Sequence, residues 1–422
     1  MKKITILFLL ALTANVFSQS WTLQTSGTSL PFSSACATSP NICWMCGATQ
    51  LVEKTTNAGV TWTSAAGNLS GADAYDIFAF NENLAWIGAG DGTIYKTTNG
   101  GVNWTFSVPS PTSPFIDGLY FYDNNLGFAF GDPGTSPHTW RYWVTTNGGS
   151  TWTDYSANFP VPGSTEAGWN NGFWTNDTAH IWICSNNSII YRGSLRGAFT
   201  ATTVSALYQF GLAFQDNNTG VAIVNNSSAS LPNLRTTNGG VAWASTSFTP
   251  TGIAYGIKNA PTSGSWEYWI SGTSNIYWST DNGITFSSQQ TLTAPGNCLS
   301  MYNVQAGWCG GNTGQIYHYT SPHVVGIKNV NNEVPNNYSL SQNYPNPFNP
   351  TTTINFSIPS SNNVSLKIYD IVGNEVMTVV NGFKQAGSYS VNIDASRLSS
   401  GVYFYTITAG NFKDTKKMML TK

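Results

Sequence analysis

Carboxylates and aromatic side chains are the residues of this chain best placed to do chemistry. Asp73, Asp91, Asp117, Asp132 and Glu166 sit in polar loops between apolar runs, with His138, Trp140, Arg141 and Trp169 among them. Two carboxyl groups facing one cleft can hydrolyse a glycosidic bond, one as acid and the other as nucleophile or base. Flanking indoles and an imidazole could hold a sugar there, so these residues form the candidate ligand-binding set. No nucleophile–base constellation or phosphate loop is visible, and no catalytic residue is assigned. His138, His180, His318 and His323 are scattered, without a ligand-spaced pair. The acidic residues do not cluster as a calcium loop would require. Cys43 and Cys46 have CxxC spacing, but zinc needs a second ligand pair and none follows at suitable spacing. Those two, with Cys36, Cys184, Cys298 and Cys309, read as small buried strand residues. No metal and no cofactor is expected.

The elements that must position these residues repeat. Thr55–Trp62 reads TTNAGVTW, and it returns as TTNGGVNW at Thr97–Trp104, TTNGGSTW at Thr145–Trp152 and TTNGGVAW at Thr236–Trp243. A weaker copy, STDNGITF, spans Ser279–Phe286. The one double-length gap predicts a degenerate copy at Tyr191–Phe199. Before each motif comes an apolar run, an Asn/Asp turn, a second apolar run, a polar loop and a third run. Four short antiparallel strands in about 40–45 residues make one propeller blade. Six blades carry the motif or its degenerate copy, and a seventh begins near Cys298 but lacks its last strand. Ser20–Ser26 reads as that missing strand, which would close the ring and remove its exposed sheet edges.

Within each motif the residue types suit a turn. Asn57, Asn99, Asn147, Asn238 and Asp281 can hydrogen-bond nearby backbone. Gly59, Gly101, Gly149, Gly240 and Gly283 tolerate positive φ. Trp62, Trp104, Trp152, Trp243 and, in the weak copy, Phe286 offer apolar area to bury beside it. The pattern resembles the Asp-box, or bacterial neuraminidase repeat, with Asn in the Asp position in four of five clear copies. Its TTNGGxxW form is most similar to photosystem-II-assembly-factor-like propellers. That resemblance implies scaffold residues and no particular chemistry, since such propellers include sialidases, endoglucanases, sorting receptors and assembly factors. A sialidase would need an Arg-Ile-Pro segment and an arginine triad. The chain has no such segment, and its ring has only Arg141, Arg192, Arg196 and Arg235.

At the N-terminus, Lys2 and Lys3 precede an apolar Ile4–Leu12, too short to span a bilayer, and residues 1–18 are expected to be a signal peptide. No later run is long and apolar enough for a membrane-spanning helix. Between Ser20 and His323, 3 Lys and 4 Arg face 14 Asp and Glu, a net −7. Such a body lacks the basic stripe that phosphate backbones require, so nucleic acid is not an expected partner.

After His323 the composition changes. Residues 324–342 read as an Asn/Val-rich linker, and 343–422 as six or seven short strands in a small Ig-like β-sandwich. The pieces NYPNPFNPTTTI (343–354), IYDIVG (368–373), LSSGVYFY (398–405) and the late Lys416-Lys417-Met418 closely resemble the type A C-terminal sorting domain of type IX secretion cargo. The resemblance implies a translocon partner, passage through the periplasm, and a secreted or cell-surface product. The expected protein is therefore all-β: a seven-bladed β-propeller at 20–323, then the sandwich. Its expected role is binding or adhesion, with a glycan or surface protein as ligand. A carbohydrate-active hydrolase using the loop carboxylates is the alternative, and an assembly factor for an envelope complex a third.

Overall fold

The computed structural model describes residues 20–135, 137–204, 208–226, 228–261, 266–320, 325–331, 335–384, 386–395 and 398–421. The signal peptide expected at 1–18 lies outside them. Ser20–Thr320 forms one compact unit, and the residues from Ser321 onward belong to another.

The first unit is seven four-stranded antiparallel sheets. Blade one contains Phe32–Ala37, Cys43–Gly47, Val52–Thr55 and Thr63–Ser64, and blade two contains Ala74–Ala79, Ala85–Ala89, Ile94–Thr97 and Thr105–Ser107. Blades three to six begin at Gly118–Phe121, Phe173–Asp177, Tyr208–Phe214 and Ala254–Pro261. The degenerate copy occupies the turn between Ile189–Gly193 and Thr200–Thr203, so blade four keeps the common plan. Blade seven takes Gly296–Asn303, Ala306–Gly311 and Gln315–Thr320 from the end of the unit and Ser20–Thr25 from its start. Trp21 pairs with Tyr319 and Leu23 with Tyr317, so a strand nearly 300 residues away closes the ring.

Second strands are buried along their whole length in blades one, two, three, five and seven. A sheet covered on both faces needs apolar residues at every position, which is why Trp44, Trp86, Trp182, Trp269 and Trp308 fall there. Packing runs from blade to blade: Trp86 of blade two stacks on Phe121 of blade three at 3.9 Å, and Trp182 of blade four on Phe214 of blade five at 3.7 Å.

Each motif is the turn between third and fourth strands, and its hydrogen bonds repeat. In blade three, Thr145 Oγ1 donates to Asn147 Oδ1 at 3.0 Å and accepts from the Gly149 N–H at 2.9 Å. Asn147 Oδ1 also accepts from Thr151 N at 2.9 Å. Gly149 has φ +85°, and so does Gly101 in blade two, where an added Cβ would stand 2.3 Å from the Ala65 carbonyl oxygen. Glycine is required there by both φ and space. The motif tryptophan reaches the preceding blade: Trp104 Nε1 donates to Ala65 O at 3.0 Å and Trp152 Nε1 to Ser107 Oγ at 3.1 Å. Trp62 Nε1 donates to Gln24 Oε1 at 3.1 Å, so the N-terminal strand plays for blade one the part Ser107 plays for blade three.

Innermost strands carry a recurrent bulge near their entry: between Phe32 and Ser34, Ala74 and Asp76, Gln209 and Gly211, Ala254 and Gly256, and Gly296 and Cys298. Ser34, Asp76, Gly211, Gly256 and Cys298 are therefore equivalent positions around the channel.

The second unit is a β-sandwich. One sheet orders Val325–Asn331, Gly387–Asp394, Thr351–Ile358 and Ser339–Leu340, and the other Glu375–Lys384, Asn362–Tyr369, Gly401–Ala409 and Phe412–Leu420. Their inner faces share a core of Ile354, Phe356, Leu366, Ile368, Tyr405 and Ile407. The segment read as linker thus contributes two strands. Val325 and Ile327 alternate like strand residues, but their pairing with Gly387–Asp394 depends on a sheet edge the local sequence does not announce. The NYPNPFNP segment is pinned from within: Asn343 N donates to Tyr405 Oη at 2.8 Å, and Tyr405 Oη to Ser341 O at 2.8 Å. Among the described residues no helix is long and apolar enough to cross a membrane.

Candidate functional site

Chain direction puts the loops between second and third strands, and those between blades, on the face opposite the motif turns. All the candidate ligand-binding residues lie there, but most of their polar atoms serve the chain itself. Glu166 is buried; its Oε2 accepts from Gly163 N at 2.8 Å and its Oε1 from the Tyr191 hydroxyl at 2.9 Å. Arg141, also buried, gives Nε to Thr112 O at 3.1 Å and Nη1 to Thr139 Oγ1 at 2.8 Å. Trp140 is core, edge-on to Tyr191 at 5.5 Å, and offers no face to a sugar. His138 is clamped between the carbonyls of Gly134 and Gly163, at 3.1 and 2.9 Å. Asp91 is exposed and caps Thr93 N within its own loop, and Asp73, in the connection between blades one and two, accepts from Thr49 N of the loop between the second and third strands of blade one. Trp169 is half-buried in the loop entering blade four.

Asp117 and Asp132 do come together. Gly168 N donates to Asp132 Oδ1 at 2.8 Å, and a Cβ on Gly168 would touch Asp117 Oδ2. No N–H or O–H of the described residues reaches Asp117 Oδ2, which is fully buried. The Asp132 carboxyl lies close enough to interact with it. Burial, and then the Asp132 charge, push the Asp117 carboxyl far above the usual range. Burial raises Asp132 as well, opposed by the Gly168 N–H. Glycosidase carboxyls stand about 5–10 Å apart to straddle the bond they cut. Asp117 and Asp132 instead pack together against the Gly168 backbone, with Asp117 buried, and do not straddle an open cleft.

The same loop closes over the channel. Asn171, with φ +60°, donates Nδ2 to Ser33 O of blade one at 3.2 Å. Beneath it, Asp76 joins three blades: its Oδ1 accepts from Ser34 Oγ of blade one and Ile77 N, each at 2.8 Å, and its Oδ2 from Leu119 N of blade three at 2.8 Å. Burial raises the Asp76 carboxyl, and these hydrogen bonds and the nearby Lys258 charge pull it back. A shallow recess, enclosing only about 10 Å³ or room for about one water, lies beside this plug and is lined by Ala35, Asn171, Tyr255, Lys258, Asn297 and Cys298, among others. Ser34, Asp76, Asn171 and Lys258 were not singled out from sequence. Each sits in an apolar or polar run with no motif, and the entry bulge aligns only Ser34 and Asp76.

Residues 342–421 match the family described as the secretion system C-terminal sorting domain. The chain carries a type IX sorting domain. That domain marks the protein for export by the type IX route, to the cell surface or beyond. No curated protein matches the chain. Solved propellers do match the ring, at identities that establish fold alone. YCF48 bound to D1 peptide is 14% identical with a TM-score of 0.58, covering 73% of this chain and 100% of that one. Virginiamycin B lyase from Staphylococcus aureus is 15% identical with a TM-score of 0.55, covering 71% and 99%. The GH74 xyloglucanase from Xanthomonas campestris is 10% identical with a TM-score of 0.53, covering 71% of this chain but 53% of its own. The protein is thus an exported seven-bladed β-propeller joined to a sorting domain.

Proposed function

We propose that the propeller is a binding module, delivered outside the cell by its sorting domain, whose ligand is a glycan or a surface protein. The observation that carries this reading is the state of the loop-face carboxyls. Glu166 is consumed by Tyr191 and Gly163, and Asp117 is buried beside Asp132, which accepts from Gly168 N. What the channel mouth offers instead is a recess of amides, a phenol and an amine. YCF48, a propeller of the same fold, has been seen with a bound peptide, which gives a precedent for the fold without naming a ligand here.

The test is a glycan array and surface-protein binding with the exported protein, followed by reducing-sugar assays on every glycan that binds. Binding without release of reducing ends is expected. Hydrolysis that disappears in Asp132→Asn would replace this reading with the hydrolase one.

A further inference from the structure

Residues 168–171 cross the channel mouth between two fixed ends. At one end Ala167 N donates to Asn186 Oδ1 at 2.9 Å, and Asn186 N donates back to Ala167 O at 3.0 Å. At the other, Gly172 O accepts from Cys184 N at 2.8 Å. Both anchors belong to blade four, but the residues between them reach other blades. Gly168 N donates to Asp132 Oδ1 at 2.8 Å, and Asn171 N to Asp117 O at 3.1 Å, both at the edge of blade three. Asn171 Nδ2 donates to Ser33 O in blade one at 3.2 Å.

The same segment covers Asp117. That residue is 5% exposed, and a Cβ on Gly168 would stand 2.5 Å from its Oδ2. The Gly168 backbone therefore lies directly on the carboxyl and keeps water from it. No N–H or O–H of the described residues replaces that water at Oδ2. The titratable groups facing Asp117 are Asp132, Asp76, the Tyr75 phenol and the Cys184 thiol, all of them acids. The Lys258 ammonium acts on Asp76 and not on Asp117. While the segment is down, an ionised Asp117 would have no donor at Oδ2 and no countercharge, which is costly.

We infer that residues 168–171 are a pH-operated strap, closed over the channel mouth while Asp117 is uncharged and lifted to admit water when Asp117 ionises. The sign follows from the proton count. Covered, the carboxyl titrates well above the ordinary value of about 4; uncovered, it returns toward that value. The closed form thus holds one more proton across this window. Closure is firmest in acid, weakens as pH rises above about 4, and stops changing once the covered carboxyl has ionised too. The device does not depend on what the propeller binds, so it stands apart from the binding-module reading.

Hydrogen exchange by mass spectrometry on the intact exported protein, from pH 5 to 7 and corrected for intrinsic rates, reads the strap at the Gly168 and Asn171 amides. One proton released on opening makes the open fraction grow toward tenfold per pH unit. These amides are also expected to exchange at least tenfold faster than those of Ala85–Ala89, buried inside blade two, because the opening is local. Asp117→Asn cannot ionise and is expected to keep the local opening but lose its growth with pH. Gly168→Ala, whose methyl presses on Asp117 Oδ2, serves if Asp117→Asn does not fold; exchange at Asn171 should quicken at least threefold at pH 5. A flat profile in the unaltered protein, growth that survives in Asp117→Asn, strap amides no faster than the core, or an unmoved strap in Gly168→Ala each overturns the proposal.

Discussion

Ser34 Oγ of blade one lies 2.9 Å from Oδ1 of Asn171, which belongs to the loop entering blade four, and 2.8 Å from Oδ1 of Asp76 in blade two. One hydroxyl proton therefore serves two acceptors, and the contact straps a surface loop across the mouth of the ring. Asn171→Gly keeps the positive φ and removes the strap. A loss of about 1–2 kcal/mol in denaturant unfolding is expected, from deleting hydrogen bonds of ordinary worth. Amide exchange at Gly168 should quicken at the same time. An unchanged exchange rate would show that the loop is held by other means.

Asp117 sets a pH dependence. Its carboxyl is raised above its unfolded value of about 4, so between that pH and its own titration the folded state holds more protons than the unfolded one. Stability is then greatest below about pH 4 and declines as pH rises through that window, flattening beyond it. Asp117→Asn can donate its amide to Asp132 without titrating, and its unfolding free energy should lack this decline. The comparison is chemical denaturation of both proteins from acid to neutral pH.

The motif turn depends on a hydroxyl that its Asn and Gly make easy to overlook. Thr145 Oγ1 accepts the buried Gly149 N–H, and Ser279 Oγ does the same for Gly283 in blade six at 3.1 Å. Thr145→Val leaves that N–H orphaned and should cost about 1–3 kcal/mol. Thr145→Ser should cost far less, since blade six already uses serine. Thermal unfolding of the pair decides it.

Ring closure rests on the N-terminal strand. Trp21 is 5% exposed and packs on Tyr319 with ring centres 5.1 Å apart. Trp21→Ala should destabilise by about 3–5 kcal/mol, the usual cost of emptying a large aromatic site. Removing Ser20–Thr25 altogether would bare the edge of Gln315–Thr320, and light scattering should then report association of open rings.

The blade count, the closing strand and the sandwich were legible because their signals are local. A turn that needs hydroxyl, amide, glycine and indole at fixed spacing can be recognised wherever it recurs, and one copy per sheet counts the sheets. The candidate site was legible only as far as the face on which it lies. Trp140, Arg141 and Glu166 looked like a ligand grip from their loop positions, yet they are buried and bonded inward. Whether a loop side chain points to solvent or into the core depends on how the loop folds back, which no short-range pattern records. The linker reading failed for a related reason: a lone extended segment becomes a strand only when an edge is there to pair with it.

By itself, the sequence determined that this chain is all-β, that seven sheets close into a ring, and that its C-terminal segment is a sorting domain, because each follows from residue types repeated or placed at short range. Only the tertiary structure decided what occupies the channel. Ser34 and Asp76 turn inward from blades one and two, where a bulge shifts the inner strands by one residue, and Asn171 reaches Ser34 from the loop entering blade four. Side chains alternate with a period of two along a strand, so that single shift decides which of them face the axis.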